Sequence, residues 1–401
     1  MPQTTPSPEH VDPARTAATA LLVHRHIPIS QLHGVVALTG AVLGDTPIVI
    51  HDLNGEPLFH DYPLTEGAAV VGTIRCAAHR RLGAPVVSIS HAAPGWDPDS
   101  ALRLATASLR AREPDAAVTD SQLVCYAYPK IGTRLSFTVP GKPDAQSDIF
   151  DASSGAPVAS STAASNQFTR YSLLDSIPAA EASTRVAKFR ETEQSVDQLR
   201  VDRPDLFTLA PATVKFPIPV PKTHIKTGLV KLSPFYPTSP PGLSHYAQIT
   251  DYYCVDASAQ MLLEHYGYNY TQDQIATAMG TTAAQGGTTG TGLTSGFTTL
   301  TDSTLLLSFD EGQTRDQQYQ DATIEVDANR PLFTQVPHHY RVCMGYSVDT
   351  VSVLGITLGM SQTLYIYDPW PWNGDQLRPG APYWENWTVS PVMWFGIVHH
   401  A

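Results

Sequence analysis

Residues 246–267 read Tyr246-Ala-Gln248-Ile-Thr-Asp-Tyr-Tyr-Cys254-Val-Asp-Ala-Ser-Ala-Gln-Met-Leu-Leu-Glu264-His-Tyr-Gly267. From Val255 to Tyr266 the apolar residues recur with helical spacing, and Gly267 supplies a helix stop. Cys254 therefore falls in the first turn of a helix. Unpaired backbone N–H groups and the positive end of the helix dipole converge there and favour a thiolate. Gln248 lies six residues before Cys254. Its side-chain amide is close enough to join the Cys254 backbone N–H in stabilising an oxyanion. An isolated cysteine at a helix start is more often an inert core thiol, so the reading depends on partners elsewhere in the chain.

Those partners lie downstream. Arg330-Pro-Leu-Phe333 reads as a strand, and His338-His339-Tyr-Arg-Val-Cys343-Met-Gly345-Tyr346 places a histidine at the start of the next. After a strand expected over Val351 to Leu358, Leu364-Tyr-Ile-Tyr367 runs directly into Asp368-Pro369-Trp370. Polar residues at strand ends can face a cleft formed against the cysteine helix, so a Cys/His/Asp meeting is geometrically reasonable. With ordinary pKa values, the imidazole removes the thiol proton to give a thiolate–imidazolium pair, and Asp368 fixes the ring. Neighbouring strand positions face opposite ways, so only one of His338 and His339 points inward. Trp370 or Trp372 is placed to cover the His339–Asp368 hydrogen bond, although an aromatic after Asp-Pro is more often plain packing.

Taken together, these motifs resemble papain-like cysteine peptidases, and in particular the double-glycine leader peptidase branch that processes bacteriocins. The likeness covers about residues 243–400. It rests on Gln248 before Cys254, the helix ending at Glu264-His-Tyr-Gly267, a short helix over Thr271 to Met279, and Gly290-Thr-Gly292 in the loop beyond. Arg330-Pro331, His339-Tyr340, Gly345-Tyr346 and Asp368-Pro369-Trp370 complete it. The resemblance implies that Cys254 attacks, His339 transfers the proton, Asp368 orients His339, and Gln248 belongs to the oxyanion hole. It implies His339 and not His338, because the catalytic histidine directly precedes an aromatic or small residue entering the strand. The 29 residues from His339 to Asp368 exceed the usual spacing of that branch and require an extra hairpin over Ser347 to Ser361. No transporter segments or nucleotide-binding motif accompany the region, so a bacteriocin-export role is not expected.

Upstream, Ala14 to His24 reads as a short helix. Pro47-Ile-Val-Ile50 and Pro57-Leu-Phe59 flank Asp52-Leu-Asn54-Gly55 as a hairpin, with Asn-Gly supplying positive φ. Asp52 and Asn54 lack the remaining ligands of a calcium loop. A helix is expected over Ala68 to Leu82, ended by Gly83, followed by a strand over Pro85 to Ile89. That makes a strand-strand-helix-strand unit. A helix over Ser100 to Arg112, a second hairpin at Asp151-Ala-Ser-Ser-Gly155 and a charged helix-prone stretch from Ala179 to Arg200 complete the N-terminal region. The fold class is α+β, a papain-like C-terminal domain behind an α+β N-terminal region. The expected division is a loose N-terminus and short helix over 1–30, an accessory or prodomain-like module over 31–200, a Pro-rich linker over 201–242, and a hydrolase domain over 243–401.

The bulk numbers narrow the functional classes. With 401 residues, 42% hydrophobic and 15% charged, the chain holds two or three globular domains. A net charge of −12 without clustered Lys and Arg argues against nucleic acid as a partner. Met1 to Val11 is Pro-rich and polar, and Ala17 to Val23 is too short for a membrane span. A cytoplasmic or non-classically secreted protein with no membrane partner is expected. Four cysteines, at 76, 125, 254 and 343, do not make a disulfide framework, though a bridge between Cys76 and Cys125 stays open. Cys343 reads as a buried small hydrophobe. Gly286, Gly287, Gly290 and Gly292 lack the Gly-Lys-Ser/Thr of a phosphate loop and read as a flexible cleft-lining loop. His399-His400 reads as a frayed end without metal-ligand spacing. No cofactor or metal is expected, and the substrate class is a peptide or protein. Transfer of the acyl group to an amine, as in transglutaminases or peptide ligases, uses the same residues. A non-catalytic binding protein on a papain-like scaffold is the alternative outside enzymes.

Overall fold

The structure is a computed structural model and describes residues 8–29, 32–142, 144–159, 170–207, 226–230, 244–348, 352–353, 356–357, 361–371 and 375–401. Helix α1 (Pro13–His26) begins where the Asp12 side chain accepts the Ala14 N–H and a proline occupies the first turn. It leads into β1 (Val42–Leu43), β2 (Ile48–His51), β3 (Pro57–Glu66), β4 (Ala69–Ala77) and β5 (Val86–Ser90). β2 and β3 form the expected hairpin. Gly55 carries its positive φ of 90°. Asn54 acts through its side chain instead, accepting the Glu56 N–H.

The helix expected over Ala68 to Leu82 is not formed. Residues 69–77 make strand β4, and Arg80–Leu82 add one 3-10 turn closed by Gly83 at φ 88°. Val70, Val71, Thr73 and Ile74 are β-branched and favour the pleated backbone. Gly72 lies flat against the neighbouring strand, where a Cβ would stand 2.6 Å from the Ser90 carbonyl oxygen. The strand-strand-helix-strand unit is therefore an antiparallel meander of β2 to β5.

Helix α2 (Pro98–Arg112), capped by Asp97, precedes the long hairpin of β6 (Ala117–Ala127) and β7 (Lys130–Thr138), joined across a cis Tyr128-Pro129 bond. Strand β8 (Gln146–Asp151) follows, and beyond its Asp151 turn Phe150 bridges back to Pro157, as the second hairpin requires. Helix α3 (Leu173–Ser176) is held by Asp52, whose carboxylate accepts the Leu173 and Leu174 N–H groups. Asp52 is thus a helix-capping residue in addition to a turn residue. Helix α4 (Ala179–Asp202) completes this part.

Most of the Pro-rich segment 201–242 lies outside the described residues, but its Lys226–Leu229 stretch forms strand β9. Helices α5 (Cys254–His265), α6 (Gln272–Met279) and α7 (Gly290–Leu300) come next, then β10 (Leu305–Phe309), α8 (Arg315–Asp327), β11 (Leu332–Val336) and β12 (His339–Val348). Gly290 and Gly292 open α7 under a Thr289 cap, so they do not lie in a loop. In place of a single strand over Val351 to Leu358, the two-residue strands β13 (Ser352–Val353) and β14 (Ile356–Thr357) pair with each other. β15 (Thr363–Tyr367), β16 (Tyr383–Asn386) and β17 (Trp394–His400) close the chain. His399 and His400 pair with Leu306 and Leu305, so the terminus is a strand and not a frayed end.

The strands other than β13 and β14 join one 15-stranded sheet. Its path runs β10-β17-β11-β12-β15-β16-β5-β4-β3-β2-β6-β7-β8, with β9 on β12 and β1 on β3. The N-terminal and C-terminal parts meet where β16 lies antiparallel to β5, pairing Tyr383 with Ser90 and Glu385 with Ser88. One apolar core runs through both parts, from Leu22, Phe59 and Ile89 to Leu262, Phe333 and Trp384. Among the described residues no helix is long and apolar enough to cross a membrane.

Within the sheet, Arg341 of β12 and Glu385 of β16 form an ion pair, both 0% exposed, with Nη1–Oε2 at 2.6 Å. Glu385 also accepts the Tyr128 hydroxyl at 2.9 Å and the Ser390 hydroxyl. Glu385→Ala strands a buried guanidinium. Losing one partner of a buried pair costs about 3–5 kcal/mol, so the variant is expected to melt well below the wild type in a thermal scan. An unchanged melting temperature would contradict this role.

Candidate active site

His339 opens β12 after a turn in which His338 adopts φ 59°. The alternation of the strand then leaves His339 fully enclosed, at 0% exposure, while His338 packs near Tyr171 with ring centroids 6.1 Å apart. Asp368 directly follows β15, and its Oδ1 lies 2.7 Å from His339 Nε2. The Trp370 backbone N–H donates to the same oxygen at 2.9 Å, and the Tyr383 hydroxyl donates to Oδ2 at 3.2 Å. A carboxylate on Nε2 makes that nitrogen the N–H donor. Nδ1, which has no hydrogen-bond partner, is left as the basic nitrogen.

Cys254 is the first residue of α5, which packs on β11 and β12. The backbone N–H of Tyr340, the residue after His339, acts on the Cys254 thiol in favour of the anion. The chain before α5 lies along the end of β15. The Gln248 N–H donates to the Pro369 carbonyl at 2.9 Å, and His245 Nε2 lies 2.8 Å from the Asp368 carbonyl. The Gln248 side chain is buried, with its amide N–H on the Thr250 carbonyl at 2.7 Å and Oε1 without a partner. One amide N–H is therefore already engaged, and an oxyanion would draw on the other. Trp370 meets the His339 ring edge-on at 6.4 Å, where cover of the His339–Asp368 bond was expected. Trp372 lies outside the described residues.

Enclosure governs ionisation here. Burial pushes the Cys254 thiol up to about 11, with Asp256 and Asp368 adding to it and Lys130 and the Tyr340 N–H opposing. Burial likewise brings His339 down to about 4, assisted by Lys130 and opposed by Asp368. Burial acts to raise the Asp368 pKa, but His339, Arg341 and the Trp370 N–H outweigh it and hold the carboxyl below its ordinary value. Burial thus favours the neutral thiol and the neutral imidazole over the expected thiolate–imidazolium pair while the site is closed. A cleft lies beyond Asp368 and Trp370, lined by Arg75, Trp96, Tyr128 and Tyr383 among others. Cys254 and His339 do not border it.

Two charged residues of the site escaped the sequence reading. Lys130, 1% exposed, comes from the N-terminal part, at the Tyr128-Pro129 turn between β6 and β7. Nothing local signals its burial. Asp256 did leave a signal, a lone carboxyl inside the otherwise apolar start of α5. Its Oδ1 accepts the Thr281 hydroxyl at 2.8 Å, and its Oδ2 is buried without a partner. All four cysteines are free and buried, so Cys76 and Cys125 are not bridged. The Cys343 thiol donates to the Gly345 carbonyl at 3.4 Å, in keeping with a core residue.

With this geometry in hand, comparison with known proteins adds one finding. Residues 242–388, less than half of the chain, match the Peptidase_C39 like family. The match is to the family as a whole and supports a cysteine peptidase, a hydrolase acting on peptide or protein, for this part of the chain. A comparison with curated proteins finds no match.

Asp256 makes stability depend on pH. Burial raises its carboxyl from 3.8 to about 7. The stability tied to its protonated form is thus full below about pH 4 and lost as pH rises through 7, a loss of roughly 4 kcal/mol at pH 8. Asp256→Asn keeps an acceptor for Thr281 and cannot ionise. Its melting temperature relative to wild type is expected to be several degrees higher at pH 8 than at pH 5, and an equal difference at both would refute the assignment.

Proposed function

We propose that the C-terminal part of this chain is a thiol hydrolase that cleaves peptide or amide bonds through an acyl-enzyme on Cys254. The observation that carries this reading is the buried His339 Nε2–Asp368 Oδ1 contact of 2.7 Å, with Nδ1 unpartnered and α5, which opens at Cys254, packed on β12. The order Gln248, Cys254, His339, Asp368 supports the finer placement beside the double-glycine leader peptidases.

In the proposed cycle, sulfur attacks the scissile carbonyl carbon as His339 Nδ1 takes the thiol proton. The resulting imidazolium is stabilised by Asp368. The carbonyl oxygen becomes an oxyanion facing the Cys254 backbone N–H and the Gln248 amide. Collapse breaks the C–N bond, and the departing amine takes the proton from His339. Water then attacks the thioester carbonyl with His339 as base, releasing the acid and restoring the thiol. Cys254 is only 1% exposed, so the substrate reaches it only after the contacts over α5 and β12 open.

The N-terminal part acts in this reading as an accessory or prodomain-like module, and the segment from Pro204 to Ser244 is the site of self-cleavage. A nick there leaves β5 hydrogen-bonded to β16 and Tyr128 on Glu385. Two fragments that still co-elute are therefore expected.

Two measurements test these proposals. A thiol-reactive peptide electrophile is expected to label the wild type and not Cys254→Ser; equal labelling of both would rule out Cys254 as the reactive thiol. For processing, intact mass and gel filtration of the wild type beside Cys254→Ala should give two co-eluting fragments for the former and one full-length chain for the latter. A full-length mass for both under conditions of activity removes self-cleavage.

A further inference from the structure

The β6–β7 hairpin of the N-terminal part turns at Tyr128-Pro129, and Lys130, the first residue of β7, is buried beside Trp370 of the proposed active site. Its Nζ sits 4.3 Å from the centroid of the Trp370 ring, a cation–π arrangement in a desolvated setting. Trp370 in turn meets His339 edge-on at 6.4 Å and donates its backbone N–H to Asp368 at 2.9 Å. The hairpin is anchored on both sides of this contact. Trp370 packs with Val124, Tyr126 and Ala127 of β6, and the Tyr128 hydroxyl donates to Glu385 at 2.9 Å. An ammonium ion is thus delivered from outside residues 242–388 to the rim of the His339–Asp368 pair.

We propose that Lys130 is a positioning residue for this chemistry, a fixed cation that lets Cys254 become a thiolate inside a closed, low-dielectric site. The inference rests on the hydrolase reading for its catalytic meaning, but the electrostatic claim concerns the thiol alone. Charge balance explains the role. With Asp368 ionised and Lys130 protonated, the enclosed group is neutral while Cys254 and His339 are neutral. It remains neutral when the thiol proton moves to His339 Nδ1. Without Lys130 the sulfur anion faces Asp368 and Asp256 with one enclosed cation fewer, Arg341 being committed to Glu385.

The charges around both ends agree with this. On Cys254 act Lys130 and the Tyr340 N–H, which favour the anion, and Asp256 and Asp368, which oppose it. Burial lowers the Lys130 pKa on balance, and Cys254, Asp368, Asp151 and Asp251 oppose it by favouring the ammonium form. Asp151 is itself occupied by the Tyr126 hydroxyl at 3.1 Å and the Ser154 N–H at 2.9 Å. Asp251 is half-buried, in the loop before α5. Of these four groups Cys254 acts most strongly on Lys130.

The test uses the full-length chain and reads the thiol directly. Wild type, Lys130→Met, Lys130→Gln and Lys130→Arg are alkylated with iodoacetamide at pH 8, and the modification rate of Cys254 is followed by peptide mass, with Cys343 as an internal measure of general opening. A nearby opposite charge is worth roughly 1–3 pKa units. The two neutral variants are therefore expected to alkylate Cys254 at least about tenfold more slowly at an unchanged Cys343 rate, and Lys130→Arg is expected to stay near wild type. Wild-type rates in the neutral variants overturn the proposal. So does an Arg variant as slow as the Gln variant. If neither neutral variant folds, the Arg variant decides alone, a wild-type rate upholding the proposal and a tenfold loss overturning it. Because the rate reports the thiol whether or not it is a nucleophile, failure here is distinct from failure of the hydrolase reading, which the electrophile labelling of Cys254→Ser decides.

Discussion

The interaction on which the rest depends is the buried Arg341–Glu385 pair. Neither ion has access to water, so each must be satisfied by the fold. Arg341 reaches Glu385 at 2.6 Å, Tyr383 at 2.8 Å and Thr334 at 3.3 Å. The Tyr383 hydroxyl accepts from Arg341 and donates its own hydrogen bond to Asp368 at 3.2 Å, and Asp368 accepts from His339. The chain of bonds therefore runs from a structural ion pair into the imidazole without a break. Arg341 lies two residues beyond His339 and so faces the same side of β12. Fixing Arg341 on β16 fixes the face of β12 and, between them, the end of β15 from which Asp368 hangs.

The same enclosure that orders these groups holds them uncharged where no partner is present. Cys254 and His339 are both displaced towards their neutral forms, and Asp368 alone keeps its charge because it has three donors. Such a site is held in geometry but not in ionisation, and chemistry in it requires both opening and a cation. The N-terminal part bears on both requirements. It shares the sheet through β5 and β16, places Tyr128 on Glu385, and encloses Lys130 over Trp370. The C-terminal part, although it alone matches a family, does not contain all the charges that act on its sulfur.

Local rules served well where one element carried the signal. Gly267 ends α5, Thr271 caps α6, and Tyr367 runs straight into Asp368 as the residue order implies. They failed where two elements compete for one stretch. Residues 69–77 read as helical because apolar spacing alone does not distinguish a short helix from a strand. The partner strands β3 and β5 settle it by pairing on either side. Gly290 and Gly292 suggested a loop, yet the Thr289 hydroxyl capping Gly292 at 3.0 Å starts a helix there.

By itself the amino-acid order determined the chemistry at hand, namely a thiol at a helix start, a histidine at a strand start and a carboxylate at a strand end. Those follow from propensities and caps that act within a few residues. Only the tertiary structure decided that His339 Nε2 and not Nδ1 binds Asp368, that burial pushes Cys254 and His339 towards their neutral forms, and that a lysine more than a hundred residues away is buried beside Trp370. Desolvation and long-range charge depend on what surrounds a group in space, and no window of neighbouring residues contains that information.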